Sequence, residues 1–220
     1  MGSIVSAVGV VDKAMVLVDA VEARPRSLSE LVEASGFSRA TTHRLAGSLE
    51  QHGLLRRDRE GRYTLGARFI SLGQNAEAGF PLAEVAVPIL QRLVDQTGES
   101  AQLYVRQGET RICIASVESP HGLRTIVERG AVLPLSAGSG GKALRGDVDD
   151  QKGWADSVAE REAGVASVSA PVVVADAVVG AVSVSGPIER LGNKPGRTHG
   201  QAVLDAAGEL SASVTRELSH

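Results

Sequence analysis

The stretch from Ser27 to Gly66, SLSELVEASGFSRATTHRLAGSLEQHGLLRRDREGRYTLG, constrains the fold more than any other part of the chain. Ser27 and Glu30 have capping-box spacing, so a helix opening at Leu28 can satisfy two of its free amide ends reciprocally. Leu28, Leu31 and Val32 supply one apolar face, and Gly36 closes the helix with a residue able to take positive φ. Ser38 is the next N-cap and opens a helix running to Gly53. On it Thr42, Leu45, Ala46 and Leu49 share the inward side, which leaves Arg39, Thr41, His43 and Arg44 outward. Leu54 to Leu65 follows as two β-prone ends around Gly61, a hairpin.

Helix, turn, helix and hairpin in this order make a winged helix-turn-helix. An outward face of Arg, Thr, His and Arg reaches base edges and phosphates, and the hairpin arginines lie against a phosphate backbone. The candidate DNA contacts are therefore Ser38, Arg39, Thr41, His43 and Arg44 on the second helix, and Arg56, Arg57, Arg59 and Arg62 on the wing. Arg44 is expected to read sequence and Arg57 to hold phosphate. The net charge of −3 runs against nucleic-acid binding until its distribution is considered. Between Arg39 and Arg62 six arginines face Glu50, Asp58 and Glu60, a local net of +3 that leaves −6 on the remainder.

Upstream, Val11, Ala14, Leu17, Val18 and Val21 recur at helical spacing across Gly9 to Val21, behind a frayed lead-in from Ser3 to Val8. Downstream, Gly66 to Ala78 is helix-prone until Gly79-Phe80-Pro81 breaks it, which places the boundaries at 1–66, 67–80 and 81–220. Phe69, Ile70 and Leu72 on that linker helix call for an apolar partner, most simply a second copy of the chain, or else their own winged-helix domain. The remainder reads as a helix from Leu82 to Thr97 and a hairpin turning at Gln107-Gly108-Glu109, its strands alternating through Leu103 and Val105 and through Ile112 and Ile114. A further strand is expected over Leu123 to Glu128. Two more flank Ala175-Asp176-Ala177, with Ser167, Ser169, Ser183 and Ser185 on a face that is either wet or lines a pocket. An amphipathic helix from Gln201 to Leu218 ends the chain. The class is α/β of the α+β kind, with a mainly antiparallel sheet.

Several activities find no support. The run from Ala7 to Val21 is broken by Asp12, Lys13 and Asp19, so no membrane span is expected, and without a signal-peptide pattern the location is expected to be cytoplasmic. Cys113 reads as a strand packer rather than a nucleophile, and the histidines at 43, 52, 121, 199 and 220 lack zinc-site spacing. The loop GAVLPLSAGSGGKA fails as a phosphate loop at Ser136 and Ala143, and its hairpin neighbours are wrong for a dinucleotide fold. What survives there is a small-residue approach to a helix start, a place to hold an anion. No enzyme, cofactor or metal is expected. The alternatives are a metabolite-binding protein or enzyme with a structural N-terminal domain, and a sensor that has lost DNA binding, against which the retained arginines argue.

The whole chain resembles the IclR family of bacterial transcription regulators. The resemblance rests on SRATTHRLAGSLEQHGLL, GRYTLG, TGES, GAVLPLSAGSGGKA, GWADSVAEREAGVASVSAPV and AVSVSGPIERL. The last two are most similar to an actinobacterial branch associated with amino-acid metabolism and leucine biosynthesis. The resemblance implies a linker helix, a C-terminal GAF-like effector domain, and a homodimer or dimer of dimers on a pseudo-palindromic double-stranded operator. It also implies a small-molecule effector, here a small aliphatic carboxylate or amino acid, held by Ser139, Gly140, Ser157, Val165, Ser167, Ser183 and Ser185. None of these positions carries a formal charge, and Ser157 and Ser167 replace an acid and a cysteine of some members. Only Leu144 to Lys152 separate the GKA and GW motifs, where the resemblance implies several dozen residues with helices. Either this member is shortened there or the sequence omits residues, and the form of the pocket roof depends on which.

Overall fold

The computed structural model describes residues 9–78 and 81–217, which fall into two compact units dividing after Gly79. The lead-in from Ser3 to Val8, the Gly79-Phe80 break and the last residues from Leu218 lie outside the described residues.

The first unit runs α1 (Gly9–Ala23), α2 (Leu28–Ser35), α3 (Arg39–Gln51), β1 (Leu55–Arg57), β2 (Tyr63–Leu65) and α4 (Arg68–Ala78). The capping box forms: Ser27 N donates to Glu30 Oε2 at 2.8 Å and Glu30 N to Ser27 Oγ at 3.3 Å. The Ser27 amide, and after it the Arg24 guanidinium, hold the Glu30 carboxyl down to about 2. Gly36 takes φ 69° and ends α2 as a left-handed cap. Leu17, Val18, Val21, Leu31, Ala46, Leu49, Leu55 and Tyr63 form the core. Tyr63 also exchanges backbone hydrogen bonds with Arg26, at 3.0 and 2.7 Å, which ties the wing to the segment before α2. Phe69 packs on this same core, a correction to its expected exposure. Ile70 and Leu72 remain exposed, at 68% and 44%.

The second unit runs α5 (Pro81–Thr97), β3 (Ser100–Gln107), β4 (Thr110–Val117), β5 (Val132–Pro134), α6 (Ser139–Arg145), β6 (Ala155–Val158), β7 (Val165–Val174), β8 (Ala177–Pro187), α7 (Ile188–Leu191) and α8 (Pro195–Glu217). Its six strands form one antiparallel sheet in the order β5-β4-β3-β8-β7-β6. The two faces differ in chemistry. Leu103, Ala166, Val168, Ala170, Val182 and Val184 pack against Leu90 and Leu93 of α5 and Val203 and Leu210 of α8. On the opposite face the register aligns Ser157, Ser167, Ser185 and Ser100 in one row across β6, β7, β8 and β3. The adjacent row holds Ser169, Ser183 and Gln102. α6 covers these rows, with Ser139 Oγ 2.7 Å from Ser167 Oγ and 2.8 Å from Ser169 Oγ.

Three expectations change. Leu123 to Glu128 joins no sheet; a side chain rather than a ladder takes its carbonyl, since Ser100 Oγ donates to Thr125 O at 2.7 Å. The edge strand beside β4 is β5 instead. Within β4, Arg111, Cys113 and Ala115 are buried more deeply than Ile112 and Ile114, because both faces of the sheet are covered. Finally, α8 begins at Pro195 rather than Gln201. Its Gly196 and Gly200 let the Trp154 ring lie so close that an added Cβ would stand 2.3 Å from it. Among the described residues no helix is long and apolar enough to cross a membrane.

Gly66 closes the first unit: a Cβ there would sit 2.0 Å from the Gly53 carbonyl oxygen, a backbone atom with no room to withdraw. Gly66→Ala is therefore expected to destabilise the first unit by at least about 1–3 kcal/mol. Gly47→Ala, in mid-α3 with nothing within 4 Å of the added carbon, is expected to stabilise it by about 0.5–1 kcal/mol. Urea unfolding followed by circular dichroism reads both, and equal small effects of the two changes would contradict the close approach at Gly66.

Candidate nucleic-acid interface and polar cavity

The hydroxyl of Ser38 accepts from Thr41 N at 3.3 Å and donates to Thr41 Oγ1 at 3.0 Å, so both residues define the start of α3. Thr42 is buried with its hydroxyl on Ser38 O at 3.1 Å. With Thr42, Ala46 and Leu49 committed to the core, Arg39, His43 and Arg44 stand exposed on the opposite side. Arg39 Nη1 lies 3.5 Å from Ser29 Oγ, and Arg44 forms no ion pair among the described residues.

The wing divides its arginines. Arg57 is fixed within the unit: it pairs with Glu50 through Nε at 3.1 Å, donates to Tyr63 Oη at 2.5 Å, and lies 4.4 Å from the Tyr63 ring centroid. Its pKa is raised above the usual arginine value, chiefly by the Glu50 hydrogen bond. Arg62 pairs with Asp58 at 2.8 Å and with Glu60. Arg56 and Arg59 are exposed and form no ion pair among the described residues. Arg57, expected to hold phosphate, is thus engaged within the unit and braces the hairpin against α3, whereas Arg56 and Arg59 carry no ion pair among the described residues.

In the second unit the serine rows close on a small cavity lined by Tyr104, Arg111, Gly138, Gly140, Ser157, Arg161, Glu162, Val165, Ser167, Ser183 and Ser185. Six of the seven residues expected from the sequence lie on this lining. The seventh, Ser139, stands behind it and is bonded to Ser167 and Ser169. Ser169 donates to Ser183 at 2.9 Å and Ser185 to Gln102 Oε1 at 3.0 Å, which extends the hydroxyl network across three strands. The cavity measures only about 20 Å³, room for about one water molecule. A wider groove of about 490 Å³ adjoins it, sharing Glu162 and Val165 and bounded also by Leu123, Ile126 and Pro187.

To the uncharged positions expected from the sequence the lining adds three charged residues, Arg111, Arg161 and Glu162. Arg111 is 3% exposed. Its Nη1 donates to Pro134 O and, at 2.8 Å, to Ala137 O, and its guanidinium lies 5.2 Å from the Tyr104 ring centroid. Burial is the main cause that lowers its pKa, and the neighbouring charges of Arg161 and Arg145 add to it. Glycines of the GSGG loop crowd this guanidinium: a Cβ on Gly141 would lie 2.9 Å from Nη1, one on Gly138 3.3 Å from Nη2 and one on Gly140 3.5 Å from Nε. Those glycines are thus explained by protein groups rather than by a phosphate: a Cβ on Gly141 would stand 2.2 Å from Leu135 O and one on Gly140 3.2 Å from the Tyr104 ring, with the guanidinium beside both. The signal was present in TRICIAS, where one arginine shares its strand phase with a cysteine and an alanine while isoleucines hold the other phase. A strand apolar in both phases is covered on both faces.

The helices implied between the GKA and GW motifs are replaced by a turn. Gly146 ends α6 at φ 78°, and Asp149 N bonds to Trp154 O at 3.1 Å, so the chain passes directly into β6. Cys113 is buried with Sγ 3.3 Å from Ala115 O, and burial pushes its thiol up to about 12, the direction that disarms a nucleophile. Among the described residues no group of three or more His, Cys, Asp or Glu is placed to hold a metal ion.

Residues 10–59 match the IclR helix-turn-helix domain, and residues 76–150 and 147–212 match the bacterial transcriptional regulator IclR C-terminal domain. The HTH-type transcriptional regulator KipR of Bacillus subtilis is 32% identical over 133 residues, 60% of this chain and 53% of KipR, so that the match spans about half of that relative. The glycerol operon regulatory protein of Streptomyces griseus is 28% identical over 229 residues, 89% of each chain. In fold, an IclR transcriptional regulator from Alicyclobacillus acidocaldarius superposes with a TM-score of 0.79 at 22% identity, over 94% of this chain and 99% of that one. An IclR homolog complexed with 4-hydroxybenzoate from Microbacterium hydrocarbonoxydans does so with a TM-score of 0.75 at 17% identity, over 94% and 99%.

Proposed function

This chain belongs to the IclR family of DNA-binding transcription regulators, and from that premise we propose that it is a ligand-gated regulator without catalytic activity. The observation that carries the DNA half is α3 itself, whose inward residues are locked in the core while Arg39, His43 and Arg44 stand exposed on the outer side. In this reading Arg44 enters the major groove and reads base edges, with Ser38, Arg39, Thr41 and His43 beside it. Arg56 and Arg59 on the wing neutralise phosphates, and Arg57 and Arg62 hold the wing in shape. The cavity of the second unit is the effector site, with a small carboxylate or amino acid as its ligand. Genes of amino-acid metabolism, leucine biosynthesis among them, are the proposed targets, supported by the GW and SVS motifs.

On this assignment Arg44→Ala is expected to cost about 1–3 kcal/mol on the specific site and little on random duplex. Arg56→Ala and Arg59→Ala are each expected to weaken all sequences alike and lower the salt slope by about 1. Fluorescence anisotropy at several salt concentrations separates the two patterns. Equal losses on specific and random duplex for all three variants would contradict the division.

The working unit is a homodimer, alone or paired into a dimer of dimers, on a pseudo-palindromic operator. Support comes from exposed apolar side chains on two helices of the first unit, Val10, Val11 and Met15 on α1 and Ile70 and Leu72 on α4, surface that a monomer leaves in water. Sedimentation velocity at about micromolar concentration, in the range of stable association, is expected to give a dimer or larger species. A monomer there would reject the assignment.

A further inference from the structure

Two charged residues of the second unit, Glu99 and Arg111, are buried at 3% exposure among the described residues. Glu99 has its counter-ion, since Arg190 reaches it at 2.5 and 2.8 Å. Arg111 has none. Its Nη1 is taken up by the carbonyls of Pro134 and Ala137, but Nε is buried without a hydrogen-bond partner. A role confined to fastening the 134–137 loop accounts for Nη1 and leaves Nε–H unexplained. A desolvated cation with an idle donor, no ion-pair partner among the described residues and an edge on a cavity is a costly arrangement unless something anionic joins it. Glu162, on the lining of the same cavity, is paired with Arg161 at 3.3 Å.

We propose that Arg111 is the specificity-determining anion receptor of the effector site, the side chain that takes the carboxylate of the ligand proposed above. The proposal rests on the assignment of this cavity as the effector site. The carboxylate accepts from Arg111 Nε–H, and the hydroxyls of Ser157, Ser167, Ser183 and Ser185 line the remaining wall. The cavity, with room for about one water molecule, takes one oxygen of that head, and the rest of the ligand lies outward of it. The tail leaves past Val165 into the adjoining groove, where Leu123 and Ile126 are 69% and 54% exposed and supply apolar walls. Glu189 also lines that groove, so a second carboxylate on the tail would meet like charge.

Calorimetry on the full-length protein tests this with pyruvate, 4-methyl-2-oxopentanoate and L-leucine, each beside its primary amide. We expect the six-carbon acids to bind more tightly than pyruvate, and each amide at least about 10-fold more weakly than its acid. The better of the 2-oxo acid and the amino acid identifies which source of the carboxylate is used. Ile126→Asp, at an exposed position, is expected to weaken the longer acids by about 10-fold or more and to spare pyruvate. Arg111→Lys keeps the charge but loses the fork, and should also weaken every acid about 10-fold. Because any change at Arg111 disturbs two carbonyl contacts and can loosen the fold, the acid–amide comparison on the unaltered protein decides. Acids and amides binding alike, or no probe binding at about 10 mM, well above any useful affinity, would overturn the proposal. Loss of binding in the Ser183→Ala/Ser185→Ala double variant, with Arg111→Lys unchanged, would overturn the role of Arg111 and leave the cavity as the effector site. Binding unchanged in both would remove the effector-site reading itself.

Discussion

The pairing of β7 with β8, ten residues long from Val165–Pro187 to Val174–Ala177, is the constraint on which the second unit depends. Alternation along both strands sends valine and alanine to the helices and serine to the other face. A shift by one residue would exchange the two sets and bury the hydroxyls in an apolar core. The tight turn at Ala175-Asp176, both with positive φ, fixes the register at one end. Once that register is set, Ser167 and Ser185 become direct neighbours, and Ser157 and Ser100 extend the row into β6 and β3. Polar groups removed from water must bond one another. The row does so through Ser139 on α6 and Gln102 on β3, which is what seats α6 over the sheet and leaves the cavity at its edge.

In the first unit the equivalent constraint is the position of α3. The capping box at Ser27 and Glu30 starts α2, the left-handed glycine at 36 stops it, and Ser38 starts α3 within a few residues. Gly66 then returns the chain against Gly53, so the wing leaves α3 at a fixed place. Arg57 spans the same junction from Glu50 on α3 to Tyr63 on β2. An arginine on a DNA-binding wing can therefore serve DNA binding indirectly, by fixing the geometry that carries its neighbours.

Legibility in the sequence followed from how local the signal was. Caps, positive-φ glycines and the α3 faces are specified within a few residues, and the structure has them where the spacing put them. The serine alternation at 167, 169, 183 and 185 was also local, but whether that face was wet or enclosed was not, since that depends on α6 crossing it. Arg111 was missed for the same reason. Its burial comes from β5, the GSGG loop and α6 folding over β4, and although Cys113 and Ala115 in its strand phase marked that face as covered, nothing local showed what covers it. Phe69 was misplaced because helical spacing shows an apolar stripe and not which surface meets it. The Leu123 to Glu128 segment has strand composition, yet the carbonyls of Leu123 and Thr125 are taken by the side chains of Arg190 and Ser100 rather than by a neighbouring strand.

The central claim is that α3 and its wing deliver a sequence-reading surface. Its most direct measurement is selection of genomic fragments by the purified full-length chain, followed by sequencing of the bound DNA. The account requires enrichment of a few sites with pseudo-palindromic halves, one helical turn or a multiple apart, as a two-fold pair of α3 helices would impose. Recovery of fragments in proportion to their abundance, with no shared sequence at low or moderate salt, would contradict it.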